Sequence, residues 1–216
     1  MGDIFREIDE ELRQERFEKL WQTYGKYALA IGIAVVLSVV GWKVWDHYRT
    51  TQRQAESMQF TTAERLAAQG KNTDAAALFA NLADRSGSGY QYLSRFHQAA
   101  LRAGSGDIAG AVTLYDALAS NDDLDRTLRD AAVVFAVMLR LDDAKVEPAA
   151  LRARLEPLIA RDGSWRHAAR ELAGLLALRE GDREAAAQNF RALADDVQAP
   201  QSMRARAAQI LATIDG

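Results

Sequence analysis

Hydrophobic positions follow two different rules along this chain. From Tyr27 to Trp42 the sequence reads YALAIGIAVVLSVVGW, 16 residues without a charge. Lys43 interrupts the run, and Val44 and Trp45 follow. Lysine can snorkel, keeping its stem in hydrocarbon and its amine at the headgroups. The run then reaches 19 residues, 27–45. At ~1.5 Å per residue this covers about 28 Å, close to a bilayer's hydrocarbon thickness. Trp21, Tyr24 and Tyr27 precede it, and Trp42, Trp45 and Tyr48 follow. Such rings favour membrane–water interfaces. Tyr27, Trp42, Lys43 and Trp45 are therefore the expected anchor residues. A buried core helix and a cleaved signal peptide are the rival readings. The flanking rings argue against the first. Against the second stand seven acidic residues upstream and the absence of a small-residue cleavage site at Trp42-Lys43-Val44-Trp45.

Beyond residue 55 apolar positions recur at helical spacing, punctuated by Gly, Asp and Ser. No Gly or Pro occurs from Lys43 to Gln69, so one helix can run on from the apolar stretch. Gly70, Gly106 and Gly181 are each followed nine residues later by an aromatic: Phe79, Tyr115 and Phe190. Ala75, Ala111 and Ala186 stand four places before those rings. Glycine tolerates the turn between two helices, Asp107 and Asp182 can cap the next helix, and a small Ala permits close approach. A degenerate copy has Leu155 in the aromatic place, Val146 where the Gly should be, and Pro157 inside, which predicts a short or kinked helix. The expected pairs are 55–69 with 72–84, 90–103 with 107–119, 127–141 with 148–160, and 165–179 with 182–195. A last helix at 202–214 caps the array.

The fold class expected is therefore all-α: a single N-terminal transmembrane helix followed by a divergent helical solenoid. The segments are 1–26, amphipathic; 27–45, spanning; and 46–216, repeats. The unit resembles the tetratricopeptide repeat, a 34-residue helix–turn–helix. By that resemblance Leu93, Phe96, Glu171, Leu175 and Arg179 are candidates for a partner groove. The alternative for the apolar ones is plain core.

Charge and composition narrow the function. The 216 residues carry 27 Lys+Arg and 30 Asp+Glu, for a net charge of −3, which excludes a broadly basic nucleic-acid binder. With no Cys, disulfides and thiolate sites are impossible. His47, His97 and His167 have no matched partners nearby, and Asp122-Asp123 and Asp142-Asp143 read as turn residues. No nucleophile elbow, phosphate loop or zinc motif occurs. Neither catalytic residues, a metal site nor a cofactor is expected. Ile4, Phe5, Ile8, Leu12, Phe17, Leu20, Trp21 and Tyr24 form one helical stripe. It reads as a helix lying at the membrane or as a docking helix for a partner. Among the flanking residues, Arg13, Arg16, Lys19 and Lys26 before the span against Lys43, Arg49 and Arg53 at its far end barely favour a cytoplasmic N-terminus.

Gly25-Lys26 enters the span, and Gly41-Trp42-Lys43-Val44-Trp45 leaves it. Further on, Glu171-Leu172-Ala173-Gly174-Leu175-Leu176 leads into Gly181-Asp182-Arg183-Glu184-Ala185-Ala186. Over about residues 20–216 these marks make the chain resemble the ancillary SecYEG translocon subunit family (YfgM-like), bacterial inner-membrane proteins. The resemblance implies a cytoplasmic N-terminus and a periplasmic repeat domain. It also implies association with the protein translocation channel, periplasmic folding factors and membrane lipid. The acidic segment before residue 19 has no match in that pattern. A scaffold for cell-wall or outer-membrane assembly, and an enzyme accessory subunit with a cytoplasmic repeat domain, remain the alternatives.

Overall fold

The computed structural model describes the backbone of residues 3–87 and 89–215, and the side chains of 26, 27, 29–87 and 89–214. The stripe from Ile4 to Tyr24 lies outside the described side chains. Among the described residues there are nine α-helices and no strand. They are α1 (Asp3–Ala68), α2 (Asn72–Arg85), α3 (Gly89–Gly104), α4 (Ile108–Ala119), α5 (Arg126–Leu139), α6 (Pro148–Ile159), α7 (Arg166–Glu180), α8 (Arg183–Asp195) and α9 (Gln201–Asp215). The chain divides into a unit ending at Ala55 and a compact unit beginning at Glu56. The last turns of α1 belong to the second.

The repeat spacing becomes geometry at three turns. Gly70, Gly106 and Gly181 have φ of 75°, 88° and 80°, and among the described residues no other glycine and no non-glycine has positive φ. Each closes its preceding helix in the same way. Gly70 N–H donates to Ala67 at 3.0 Å and Lys71 N–H to Leu66 at 2.9 Å. Gly106 and Asp107 donate to Ala103 and Arg102 at 3.0 and 2.9 Å. Gly181 and Asp182 donate to Leu178 and Ala177 at 3.0 and 2.9 Å. These paired bonds satisfy carbonyls that a helix end leaves open, and the left-handed residue they need is most cheaply a glycine. The Asp carboxylates then cap the next helix: Asp107 accepts from Gly110 N–H and Asp182 from Ala185 N–H, both at 2.9 Å. Lys71 supplies no such cap to α2.

Four apolar clusters follow one another along the second unit. Phe60 and Ala63 of α1 pack with Ala75, Phe79 and Leu82 of α2. Tyr115 and Leu118 of α4 pack with Ala99 of α3 and Ala132 and Ala136 of α5. Leu151, Leu155 and Leu158 of α6 meet Leu172 and Leu176 of α7 and Val134 and Val137 of α5. Phe190 and Leu193 of α8 are covered by Ala207 of α9. The repeat residues Ala75, Ala111, Ala186, Phe79, Leu155 and Phe190 are fully buried. Burying one such large side chain contributes about 1.5–3 kcal/mol. Gly174 shows how tight this is: a Cβ there would lie 2.8 Å from the Phe190 ring. The expected last helix is present as α9, which seals the fourth cluster as a solenoid cap must. Pro157 sits near the end of α6, which spans only 12 residues.

Candidate functional site

Two surfaces carry the expected chemistry. In the first unit, every large apolar side chain from Leu29 to Val44 is exposed. Among the described residues one helical stretch, Leu29–Ala68, is long and apolar enough to cross a membrane, and its most apolar part is wholly unburied. Lys26 Nζ lies 5.2 Å from the Tyr27 ring and the Arg49 guanidinium 5.9 Å from the Trp45 ring. A cation over an aromatic face therefore sits near each end of the run. Tyr27, Trp42 and Trp45 are themselves exposed.

In the second unit a row of contacts links the first helices of successive pairs. Phe60 of α1 meets His97 of α3 edge-on at 5.1 Å. Phe96 of α3 meets Phe135 of α5 at 6.2 Å, and Phe135 meets Trp165, the residue before α7, at 5.6 Å. Glu171 of α7 accepts a fork of two bonds from Arg206 of α9 at 2.7 and 3.1 Å. That hydrogen bond and the attraction of the Glu171 charge hold the Arg206 guanidinium's pKa above its usual range. Leu93, one turn before Phe96, is 40% exposed, and Met138, one turn after Phe135, is 50% exposed. The row is thus apolar in its middle. Toward its ends it is polar: Glu64 lies 3.7 Å from His97, and Glu171 pairs with Arg206.

The five candidate groove positions have different surroundings. Leu93 faces solvent. Phe96 is half-buried against Tyr115 and Phe135. Leu175 is partly buried and packs against both the third and fourth clusters. Glu171 is engaged by Arg206. Arg179 turns into the fold: its guanidinium donates to the carbonyls of Leu141, Asp143 and Val146 at 2.9, 2.6 and 2.8 Å, with Arg140 at 3.5 Å. This replaces the glycine turn that the third pair lacks, because the five fixed donors of one guanidinium can serve several carbonyls at once.

Phe135, Met138 and Trp165 were not among the candidates. The signal was available: Phe60, Phe96 and Phe135 recur at 36 and 39 residues, the length of one unit. Of the histidines, His97 stacks on Phe79 at 4.7 Å and His167 lies 3.1 Å from Asp196. Arg166 also bonds Asp196, at 3.2 Å. The Asp196 carboxyl is held below the usual range, first by the Gln198 backbone N–H and then by His167 and Arg166. Asp125, the cap of α5, is lowered chiefly by the Thr127 N–H at 2.8 Å. Burial raises the Tyr115 hydroxyl. The paired aspartates are turn residues: Asp122 bonds Arg129 at 2.6 Å, and Asp143 accepts from Lys145 N–H at 2.9 Å. No group of three His, Cys, Asp or Glu among the described residues could hold a metal ion.

The family model of the tetratricopeptide repeat-like domain matches residues 18–211. The chain belongs to that family, and with it to the helical scaffolds whose role is protein–protein interaction. No curated protein and no solved structure gives a match.

Proposed function

We propose that this protein is a membrane-anchored adaptor at the protein translocation channel, passing emerging polypeptides to periplasmic folding factors. In this reading residues 27–45 span the bacterial inner membrane, the N-terminus is cytoplasmic, and the repeats stand in the periplasm. The observation that carries the adaptor role is the row Phe96–Phe135–Trp165 with exposed Leu93 and Met138 beside it. An extended chain laid across these helices loses apolar area to each in turn, without demanding one sequence. The channel itself rests on the resemblance carried by Gly41-Trp42-Lys43-Val44-Trp45 and by the run from Glu171 to Ala186. The apolar run, unburied among the described residues, supports the anchor.

A photo-crosslinking residue at Leu93, in living cells, tests this. Recovery of channel subunits together with nascent secreted chains is the expected result. Recovery of cell-wall or outer-membrane assembly proteins alone would replace the adaptor by a scaffold of that complex. A reporter fused after residue 216 that is active only in the cytoplasm would reverse the topology and remove both.

A further inference from the structure

From α2 to α9 each helix packs closely along its successor, with one exception. α6 lies along α7 and meets α5 only sparsely. Of the four connections inside helix pairs, the α5–α6 one, 140–147, is the one without a glycine. What joins the halves is limited. α5 contributes two buried valines, Val134 and Val137, to the cluster built by α6 and α7. Half-buried Val133 and Leu141 pack against the same cluster, the Phe135 ring meets Trp165, and three arginines of the second half add polar bonds. Arg154 reaches Asp116 at 2.6 Å, Arg161 reaches Asp130 at 3.1 Å, and Arg179 bonds the carbonyls of the connection.

We infer that the solenoid hinges between α5 and α6, with Arg179 as the latch. Carboxylate–guanidinium pairs that are part-exposed give little net stabilisation and are screened by salt. Carbonyls released from Arg179 find water at once. The seam is therefore the place where the array opens at lowest free energy, baring Val134 and Val137 while α6 and α7 stay packed on one another. The Phe135–Trp165 contact crosses it, so opening divides the aromatic row. That last consequence rests on the adaptor reading; the hinge does not.

The chain has no cysteine, so pairs of spin labels can be placed in the full-length protein without background. Exposed Thr113 on α4 and Gln188 on α8 report across the seam. Ala77 with Thr113, and Ala153 with Gln188, report within each half. Electron–electron distance measurements should give a broader distribution for the crossing pair than for either control. Arg179→Ala should enlarge its long-distance population several-fold, Arg179→Lys less so, and high salt should act in the same direction. Equal widths for all three pairs, unchanged by Arg179→Ala, would overturn the hinge. Broadening of the control pairs along with the crossing pair would also overturn it, leaving Arg179 a staple of the whole fold. Leu93 crosslinking fails or succeeds independently of these distances, which separates the two ideas.

Discussion

Two helical stretches of this chain are apolar enough to be confused with one another, and they end in opposite environments. α4, Ile108–Ala119, buries Ala111, Val112, Tyr115 and Leu118 on one side and leaves Ala109, Thr113 and Ala117 outside. The stretch from Leu29 to Val44 has no such division, and its Leu, Ile and Val side chains are exposed all round. A stripe at helical period can be covered by two neighbouring helices, so α4 belongs to a protein core. A helix greasy on every side offers no single face to a core, which makes this stretch a candidate membrane span. Apolarity decides that a segment leaves water; its angular distribution decides where it goes.

Each region can be broken without the other, and that is the sharpest check on the contrast. Phe190→Ala removes a fully buried ring and should lower the stability of the repeat unit by about 3–5 kcal/mol. Thermal unfolding would register this, while resistance of the chain to carbonate extraction should not change. Val36→Arg should do the converse. A charge at the centre of a span costs ~2.5–3.5 kcal/mol on insertion scales. The extractable fraction should rise with the repeat unit's melting temperature unmoved. If Val36→Arg melts the repeats instead, the apolar run is a core helix after all.

Smaller effects refine the picture inside the repeats. Gly174→Ala places a methyl against Phe190, and overpacking of this kind costs roughly 1–3 kcal/mol. Pairing it with Phe190→Leu should recover part of the loss, read as a non-additive double-mutant cycle. The smallest effect concerns pH. Asp196 and Asp125 are more acidic in the folded state than the ~3.9 of an unfolded Asp. As pH falls below that value the unfolded chain takes up protons first, so the stability these carboxylates contribute is lost through the acid limb and is fully present at neutral pH. Asp196→Asn should flatten that limb in melting curves taken below about pH 5. An unaltered acid limb would mean that the cluster with Arg166 and His167 adds nothing.

Much of the architecture was legible because its signals are local. A positive φ must be supplied by the residue itself, so Gly70, Gly106 and Gly181 announced their turns. Asp107 and Asp182 announced the caps next to them. The role of Arg179 was not legible. The resemblance to the tetratricopeptide repeat made it a groove candidate, whereas the carbonyls it serves lie 33 to 39 residues earlier, in a connection whose course no local rule dictates. Glu171 went the same way, because its partner Arg206 belongs to a helix that only the closing of the array brings near.

The residues alone therefore determined which segments are helical, where the chain reverses, and that one stretch is apolar on every side. These follow from backbone sterics, caps and the period of hydrophobic positions, all of which act within a few residues. Tertiary structure decided which rings line up across α3, α5 and the residue before α7, and which charges are used up inside the fold. Those outcomes depend on distances between residues far apart in sequence, and such distances exist only once the helices have packed.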